Sequence, residues 1–487
     1  MSDYDLVVIG AGAAGLAAAR SAARAGRKVA LVERERPGGE CTFYGCVPSK
    51  ALLAAAERLS SARSGQPVPN AAEKHADFAV VMKGVQGIIT EIAGEESPPV
   101  LAASGIEVLT GEASFIGPDT VAVDGRRMSA GRIILATGAR ASVPPIPGLA
   151  HTPFLDNRSV FALEQLPAHL IVLGGGAIGC ELAQAFRRLG SAVTLVEAAP
   201  RLLMLEEPAA SRVVEDVFTG EGIDVRTGTS AEQVGCRPGG VAVTLADGTV
   251  VSGSHLLVGL GREAVTDGLD LPAAGIALDE RGSIRTDSYL RTAAPQVYAA
   301  GDCTARLQFT HVADEQGRLA VANAFTGPVR GRVLPELAGG RRVWNDSVVP
   351  WVTYTDPEVG RVGLTEDQAY ESYGDRARVS VVQMSAMDRP RCAGAPEGFV
   401  KLVAAPGRVL RGKPFLKLVG MTAVCSRGGE LIAEGALAMR AGMLLARLAQ
   451  TIHAYPTWAL PTRLAAASFF GDYDGHGARP ARPDPKP

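Results

Sequence analysis

Cys41 and Cys46 stand with four residues between them in the run Gly38-Gly39-Glu40-Cys41-Thr42-Phe43-Tyr44-Gly45-Cys46-Val47-Pro48-Ser49-Lys50. That spacing lets two thiols bridge within the first turns of one helix, and Pro48 suits the N-terminal turn of such a helix. The helix dipole and Lys50 would both favour thiolate, the nucleophilic form in thiol–disulfide exchange. A zinc-ligand pair is the competing reading of the same spacing. It needs a second Cys or His pair at metal spacing, whereas Cys180, Cys236, Cys303, Cys392 and Cys425 are dispersed singly and read as ordinary buried or surface residues. No metal site is expected.

The elements that must carry this pair are written twice. Gly10-Ala11-Gly12-Ala13-Ala14-Gly15 and Gly174-Gly175-Gly176-Ala177-Ile178-Gly179 each follow a buried-strand run, Leu6-Val7-Val8-Ile9 and Leu170-Ile171-Val172-Leu173. Each precedes a helical stretch closed by Gly26 or Gly190 at the C-cap. Glu33 and Glu197 then end the next strand at the same offset from the first glycine. The glycines Gly10, Gly12, Gly15 and Gly174, Gly176, Gly179 serve a tight turn, close approach to a pyrophosphate and helix–strand packing, with the helix N-terminus facing the phosphates. Glu33 and Glu197 are placed to accept from a ribose 2′-hydroxyl. Glu197 would repel a 2′-phosphate, which favours NAD over NADP, and Arg187, Arg188 and Arg201 nearby read as a solvated face. The repeat predicts an α/β protein with two doubly wound dinucleotide-binding domains.

At 487 residues the chain is long enough for two to four domains. A hydrophobic content of 47%, a charged content of 21% and a net charge of −2 describe a folded protein with no basic stripe for a phosphate backbone, so nucleic acid is not an expected partner. The N-terminus lacks the features of a secretory signal and no apolar run is long enough to span a bilayer, so a cytoplasmic protein without membrane association is expected. In that setting seven cysteines do not form a structural disulfide framework. Further strands are expected at Ile133–Arg140, Val297–Asp302, Val348–Tyr354 and Gly398–Val403, with a Pro-rich crossover at Val143–Pro147. A long amphipathic helix is expected around Gly429–Gln450, and the end of the chain from about residue 466 has the composition of a disordered tail.

The ordered set of the first glycine loop, the cysteine run, Ala136-Thr137-Gly138, the second glycine loop with Glu181, Val297–Asp302 and Val352–Gly363 resembles the FAD-dependent pyridine-nucleotide disulfide oxidoreductases, with dihydrolipoamide dehydrogenase and mercuric reductase as similar branches. The resemblance implies an FAD domain over residues 1–150 and 270–340, an NAD(P) domain over 151–269, and an α+β interface domain over 341–465 that builds a homodimer. It implies electrons passing from NAD(P)H through flavin and the Cys41–Cys46 disulfide to a disulfide substrate, or the reverse as dithiol oxidation. Cys46 would be the sulfur against the flavin and Cys41 the one that meets substrate. Lys50 and Glu181 match a pair beside flavin and nicotinamide, and Asp302 with Gln308, Phe309, Thr310 and His311 matches the strip holding the ribityl chain and ring. Gly39, Thr42, Ala113, Thr137, Gly138, Ala139 and Gly261 complete the implied cofactor contacts.

The pattern departs from that family near the end of the chain. Many members carry His-Pro-Thr-x-x-Glu, whose imidazole protonates the leaving thiol across a dimer interface, where this chain has Tyr455-Pro456-Thr457-Trp458-Ala459-Leu460. A phenol with its usual pKa of about 10 is a poorer proton shuttle near neutrality than an imidazole at about 6.5. His453, two residues earlier, is either a displaced base or a structural residue. Tyr455 resembles mercuric-reductase-like members, yet the last cysteine is Cys425, so no terminal cysteine pair follows it. A mercuric-ion reductase, and an NADH oxidase or quinone reductase on the same fold, are the alternatives. The basic runs Arg389-Pro390-Arg391 and Arg411-Gly412-Lys413 read as solvated loop charge.

Overall fold

The computed structural model describes residues 2–63, 77–305, 307–326, 341–410, 413–472, 475 and 477–483. The first glycine unit builds a parallel sheet in which Ile106–Thr110, Val29–Glu33, Tyr4–Ile9, Arg126–Leu135 and Val297–Ala299 lie side by side. Its strands are buried on both faces, so they read as unbroken aliphatic runs without alternation. Two short strands, Ala113–Phe115 and Thr120–Val123, extend it antiparallel to the start of Arg126–Leu135. The helix Ala13–Arg24 covers one face together with Thr310–Phe325. These two helices nearly touch: a Cβ on Gly317 would stand 2.2 Å from the Ala14 carbonyl oxygen.

The second glycine unit repeats the plan with Asp224–Thr227, Ala192–Glu197, His169–Leu173 and His255–Val258, all parallel. A three-stranded antiparallel sheet, Ala231–Arg237, Gly240–Leu245 and Val250–Gly253, packs on it. The chain enters and leaves this unit through one ribbon, where Ala139–Ala141 pairs antiparallel with Arg262–Ala264. The third unit is a six-stranded antiparallel sheet ordered Pro350–Thr353, Glu358–Gly363, Lys413–Cys425, Phe399–Leu410, Arg378–Gln383 and Arg479–Pro480.

Two expectations fail in this third unit. The single helix over Gly429–Gln450 is two, Gly428–Arg440 and Leu445–Gln450, because Gly442 takes a left-handed φ of +59° that ends the first. The tail is not without order throughout: Arg479–Pro480 pairs with Arg378–Gln383, Ala481 is buried, and Arg479 ion-pairs with Glu366. Specific burial and pairing outweigh a composition that alone reads as disorder. In the basic run at 411–413, Arg411 and Gly412 lie outside the described residues. Among the described residues no helix is long and apolar enough to cross a membrane.

Candidate active site around the cysteine pair

The cysteines do not share a helix. Cys41 lies in the short helix Gly39–Tyr44, and Cys46 begins the longer helix Cys46–Arg63, which carries Pro48 in its first turn. Gly45 makes the break: a Cβ there would stand 2.9 Å from the Glu40 carbonyl oxygen and 3.3 Å from Cys41 Cα. The chain can fold back tightly only on a glycine, which keeps the two sulfurs together across the break. Both residues are free thiols here, with Cys46 the more exposed.

The two sulfurs are electrostatically unequal. Cys41 hydrogen-bonds to the Cys46 sulfur, and this, with burial, pushes the Cys41 thiol up. The same hydrogen bond, the Thr310 hydroxyl and the charge of Lys50 pull Cys46 down to about 5, against the opposing effects of burial and Glu181. Thr310 Oγ1 stands 3.4 Å from Cys46 Sγ, at the first residue of the helix Thr310–Phe325. Cys46 therefore sits at the N-termini of two helices, where a negative charge is favoured. The arrangement favours negative charge on the Cys46 sulfur over the Cys41 sulfur.

Lys50 reaches from the redox helix to the second glycine unit, donating to Glu181 Oε2 at 2.8 Å. Glu181 is buried, and its other oxygen accepts from the Tyr354 amide at 2.8 Å. The Lys50 ammonium also lies 4.3 Å from the Tyr354 ring centroid. Three units of the fold thus meet beside Cys46. Tyr354 was not a site residue by its sequence alone, although it belongs to the run Val352–Gly363.

The two glycine loops show where nucleotides fit. A Cβ on Gly15 or Gly179 would stand 1.8 Å from the carbonyl oxygen of Gly10 or Gly174, and both Gly10 and Gly174 have positive φ, at +97° and +110°. These four glycines are required by the protein's own packing. The middle glycines differ: a Cβ on Gly176 would have no atom within 4 Å, and one on Gly12 would meet only Gly39 Cα at 3.9 Å. Open space at a helix N-terminus that packing leaves unfilled is what a pyrophosphate needs. Gly39 in turn packs on Gly12, since a Cβ there would meet Gly12 Cα at 2.7 Å, so the first loop and the cysteine run touch. Thr42 donates to Glu96 at 2.9 Å.

Glu33 and Glu197 do the same local work. Glu33 accepts from the Ala11 amide at 2.7 Å and the Glu35 amide at 3.0 Å; Glu197 accepts from the Gly175 amide at 2.6 Å and the Ala199 amide at 2.7 Å. Each acid staples its glycine loop to its strand end and retains lone pairs for a ribose. The arginines near Glu197 are turned elsewhere: Arg201 donates to Leu203, Met204 and Ser211, while Arg187 and Arg188 donate to Glu221.

Asp302, three residues past the strand Val297–Ala299, makes a 2.9 Å ion pair with Arg262, next to Gly261. Burial raises the Asp302 carboxyl and Arg262 opposes it. Thr137 donates to the Val265 carbonyl at 2.6 Å, so Thr137, Gly138 and Ala139 lie where the chain crosses between the two nucleotide units. Ala113 is buried in its strand, Gln308 is half-buried, and the Phe309 ring stacks between His311 and Trp351 at centroid separations of 5.5 and 5.7 Å.

Within one chain, Tyr455 and His453 are not with the cysteines. Tyr455 is exposed and donates to Asp388 at 2.7 Å, which raises its phenol. His453 is held between Glu434 at 2.8 Å and the Thr451 carbonyl at 3.0 Å, with only 7% of its side chain exposed. Within its own chain His453 is thus partnered by Glu434 and Thr451 and does not meet the cysteine pair. No local sequence signal announces Asp388, which lies 67 residues from Tyr455. Of the other cysteines, Cys180, Cys303 and Cys425 are buried and Cys236 and Cys392 exposed.

A family model described as pyridine nucleotide-disulphide oxidoreductase matches residues 4–317, and one for the dimerisation domain of the same family matches 349–464. A mercuric reductase of Streptomyces lividans is 37% identical over 479 residues, covering 96% of this chain and 97% of the relative. A dihydrolipoyl dehydrogenase of Thermus scotoductus is 35% identical over 469 residues, covering 94% and 95%. Among solved structures, the HOCl-induced flavoprotein disulfide reductase of Escherichia coli superposes with a TM-score of 0.82 at 29% identity, over 95% of this chain and 99% of that one.

Proposed function

The chain belongs to the pyridine nucleotide-disulphide oxidoreductase family, an FAD-dependent class that acts on sulfur groups, and from that premise we propose that Cys41 is the thiol that exchanges with substrate and Cys46 the thiolate that faces the flavin. The observation that carries this reading is the inequality of the pair. Cys46 is held as thiolate by Thr310, Lys50 and the Cys41 hydrogen bond, while Cys41 is held as thiol.

Bound FAD would supply the two-electron link between nicotinamide and the disulfide. The open face at Gly12, the Glu33 carboxylate, Asp302 and the Thr310–His311 strip are the residues that would hold it. The open face at Gly176 and Glu197 would hold the pyridine nucleotide, and the Lys50–Glu181 pair would position its ring end. The disposition of Arg187, Arg188 and Arg201 away from Glu197 supports NAD over NADP.

In the exchange, Cys41 loses its proton and attacks one sulfur of a substrate disulfide, forming a mixed disulfide and releasing one substrate thiolate that takes up a proton. Cys46 thiolate then attacks the Cys41 sulfur, closing the Cys41–Cys46 bond and releasing the second substrate thiol. The dithiol is oxidised as the substrate disulfide is reduced, with one proton drawn from outside the pair. The exposed apolar side chains Leu437, Leu444, Ile452 and Tyr455 of the interface domain support a homodimer in which Tyr455 stands near a partner's thiols. A second reading, reduction of a soft metal ion such as mercuric ion at the same thiols, draws on Tyr455 in the His position and on the mercuric reductase relatives.

The test is an anaerobic NADH titration of the holoenzyme followed by absorbance, with lipoamide, glutathione disulfide, mercuric ion and quinones as acceptors. A long-wavelength thiolate–flavin band is expected that vanishes in Cys46→Ser. Full acceptor turnover in Cys41→Ser would sink the proposal.

A further inference from the structure

Glu206 lies nine residues past Glu197, in the second nucleotide unit, and is buried. One oxygen accepts from the Trp351 indole N–H at 2.6 Å and the other from Arg361 Nε at 2.9 Å. Both partners belong to the interface domain. The Arg361 guanidinium also lies over the Trp351 ring, 4.1 Å from its centroid, so the indole is held at its edge by the acid and on its face by the cation. Glu206, Arg361 and Trp351 form one locked unit.

The indole is also stacked on Phe309, at 5.7 Å and an interplanar angle of 13°, and Phe309 is stacked on His311 at 5.5 Å and 14°. Phe309 is the N-cap of the helix whose first residue is Thr310. Phe309 thus immediately precedes Thr310 in the chain, and the Thr310 hydroxyl is 3.4 Å from Cys46 Sγ. A β-hydroxyl swings on a short lever, so small displacements of its neighbour open or close a hydrogen bond whose useful range ends near ~3.5 Å to oxygen and somewhat further to sulfur.

We propose that Trp351, clamped by Glu206 and Arg361, is a positioning residue that holds Phe309, and through it the Thr310 hydroxyl, against the Cys46 sulfur. The nicotinamide-side unit thereby reaches the thiolate by a route separate from the Lys50–Glu181 pair. The inference rests on the reading of Cys46 as the thiolate-bearing sulfur, and the experiment separates the two.

The reduced holoenzyme is alkylated with iodoacetamide from acidic to mildly alkaline pH, and mass spectrometry resolves Cys41 from Cys46. Wild-type Cys46 is expected to react with a midpoint near pH 5. Thr310→Val is expected to move that midpoint upward by roughly half to one pH unit, the size of one hydrogen bond to a thiolate, which lowers the rate below the midpoint about three- to tenfold. Trp351→Leu and Phe309→Leu are expected to move it the same way, and Trp351→Phe, which keeps a stacking ring, by less. The double variant Trp351→Leu with Thr310→Val is expected to shift no further than Thr310→Val alone, because both act on one hydroxyl. Additive shifts, or an unmoved midpoint in folded Trp351→Leu, would overturn the positioning role while leaving Cys46 as the thiolate. A wild-type Cys46 that titrates as an ordinary thiol would overturn both readings. Should Trp351→Leu fail to fold, Phe309→Leu and Trp351→Phe carry the same comparison.

Discussion

The two glycine units are locally the same and end in opposite tasks. In both, the first glycine turns with positive φ, a Cβ on the last would stand 1.8 Å from a carbonyl oxygen, the middle one faces open space, and a glutamate staples the loop through two amides. The segments beyond the two acids differ. After Glu33 the chain runs into a redox segment broken by Gly45 that presents two thiols. After Glu197 it runs into Glu206-Glu207, two buried acids that plug into the interface domain through Arg361, Trp351 and Lys401. One copy of the motif leads to the thiol pair and the other to anchorage on the third unit.

The largest expected break in that comparison is in the chemistry of the first exit. Cys41→Ser or Cys46→Ser should lower disulfide reduction roughly a thousandfold or more with FAD content unchanged, as for removal of a nucleophile from a catalytic unit. Absorbance for flavin content and steady-state turnover check this together. The matching break in the second exit should cost stability: Lys401→Met removes the cation that Glu207 and Glu366 share at 2.8 and 3.0 Å, stripping both buried acids of that partner. A loss of about 3 kcal/mol or more is expected in denaturant unfolding, with the alkylation behaviour of Cys46 retained.

The glycines sharpen the likeness between the copies. Gly15→Ala and Gly179→Ala should each prevent their own unit from folding correctly, since the added carbon collides with backbone. Gly12→Ala and Gly176→Ala should leave thermal unfolding of the ligand-free protein within a few degrees. Gly12→Ala should weaken FAD retention, and Gly176→Ala should raise the KM for NADH while FAD stays bound. Equal effects of both substitutions on FAD would erase the assignment of one nucleotide to each copy.

The smaller effects concern charge. Cys46 has its pKa lowered in the folded protein, so the thiolate is present above about 5 and is lost as the pH falls through that value. The thiolate–flavin band of the reduced enzyme should fade on acidification with a midpoint near pH 5 while Cys41, pushed the other way, stays protonated throughout. Glu197→Gln should raise kcat/KM for NADPH relative to NADH by roughly tenfold or less, because it removes one charge without creating a phosphate site.

Much of this molecule was legible in its residues because strands buried on both faces, glycine loops and strand-end acids are local patterns. The paired units and the cysteine segment came from such patterns, and the Lys50–Glu181 pair from the family resemblance that those segments carry. The features that stayed hidden depend on distant partners. Nothing near His453 in the sequence reveals that Glu434 occupies its ring, nothing near Tyr455 reveals Asp388, and the aliphatic periodicity across 429–450 conceals the turn at Gly442. The tail composition likewise conceals the pairing of Arg479–Pro480, because the edge strand that receives it, Arg378–Gln383, is formed far earlier in the chain.

The sequence by itself determined the types of groups available: two thiols at a fixed spacing, two nucleotide loops, and a chain end without the His–Glu dyad. Only the tertiary structure decided how those groups are charged. The inequality of Cys41 and Cys46 arises from Thr310 and Lys50, brought beside the sulfurs by separate elements, and a thiol's pKa is set by the charges and hydrogen bonds around it in space, not by its neighbours along the chain.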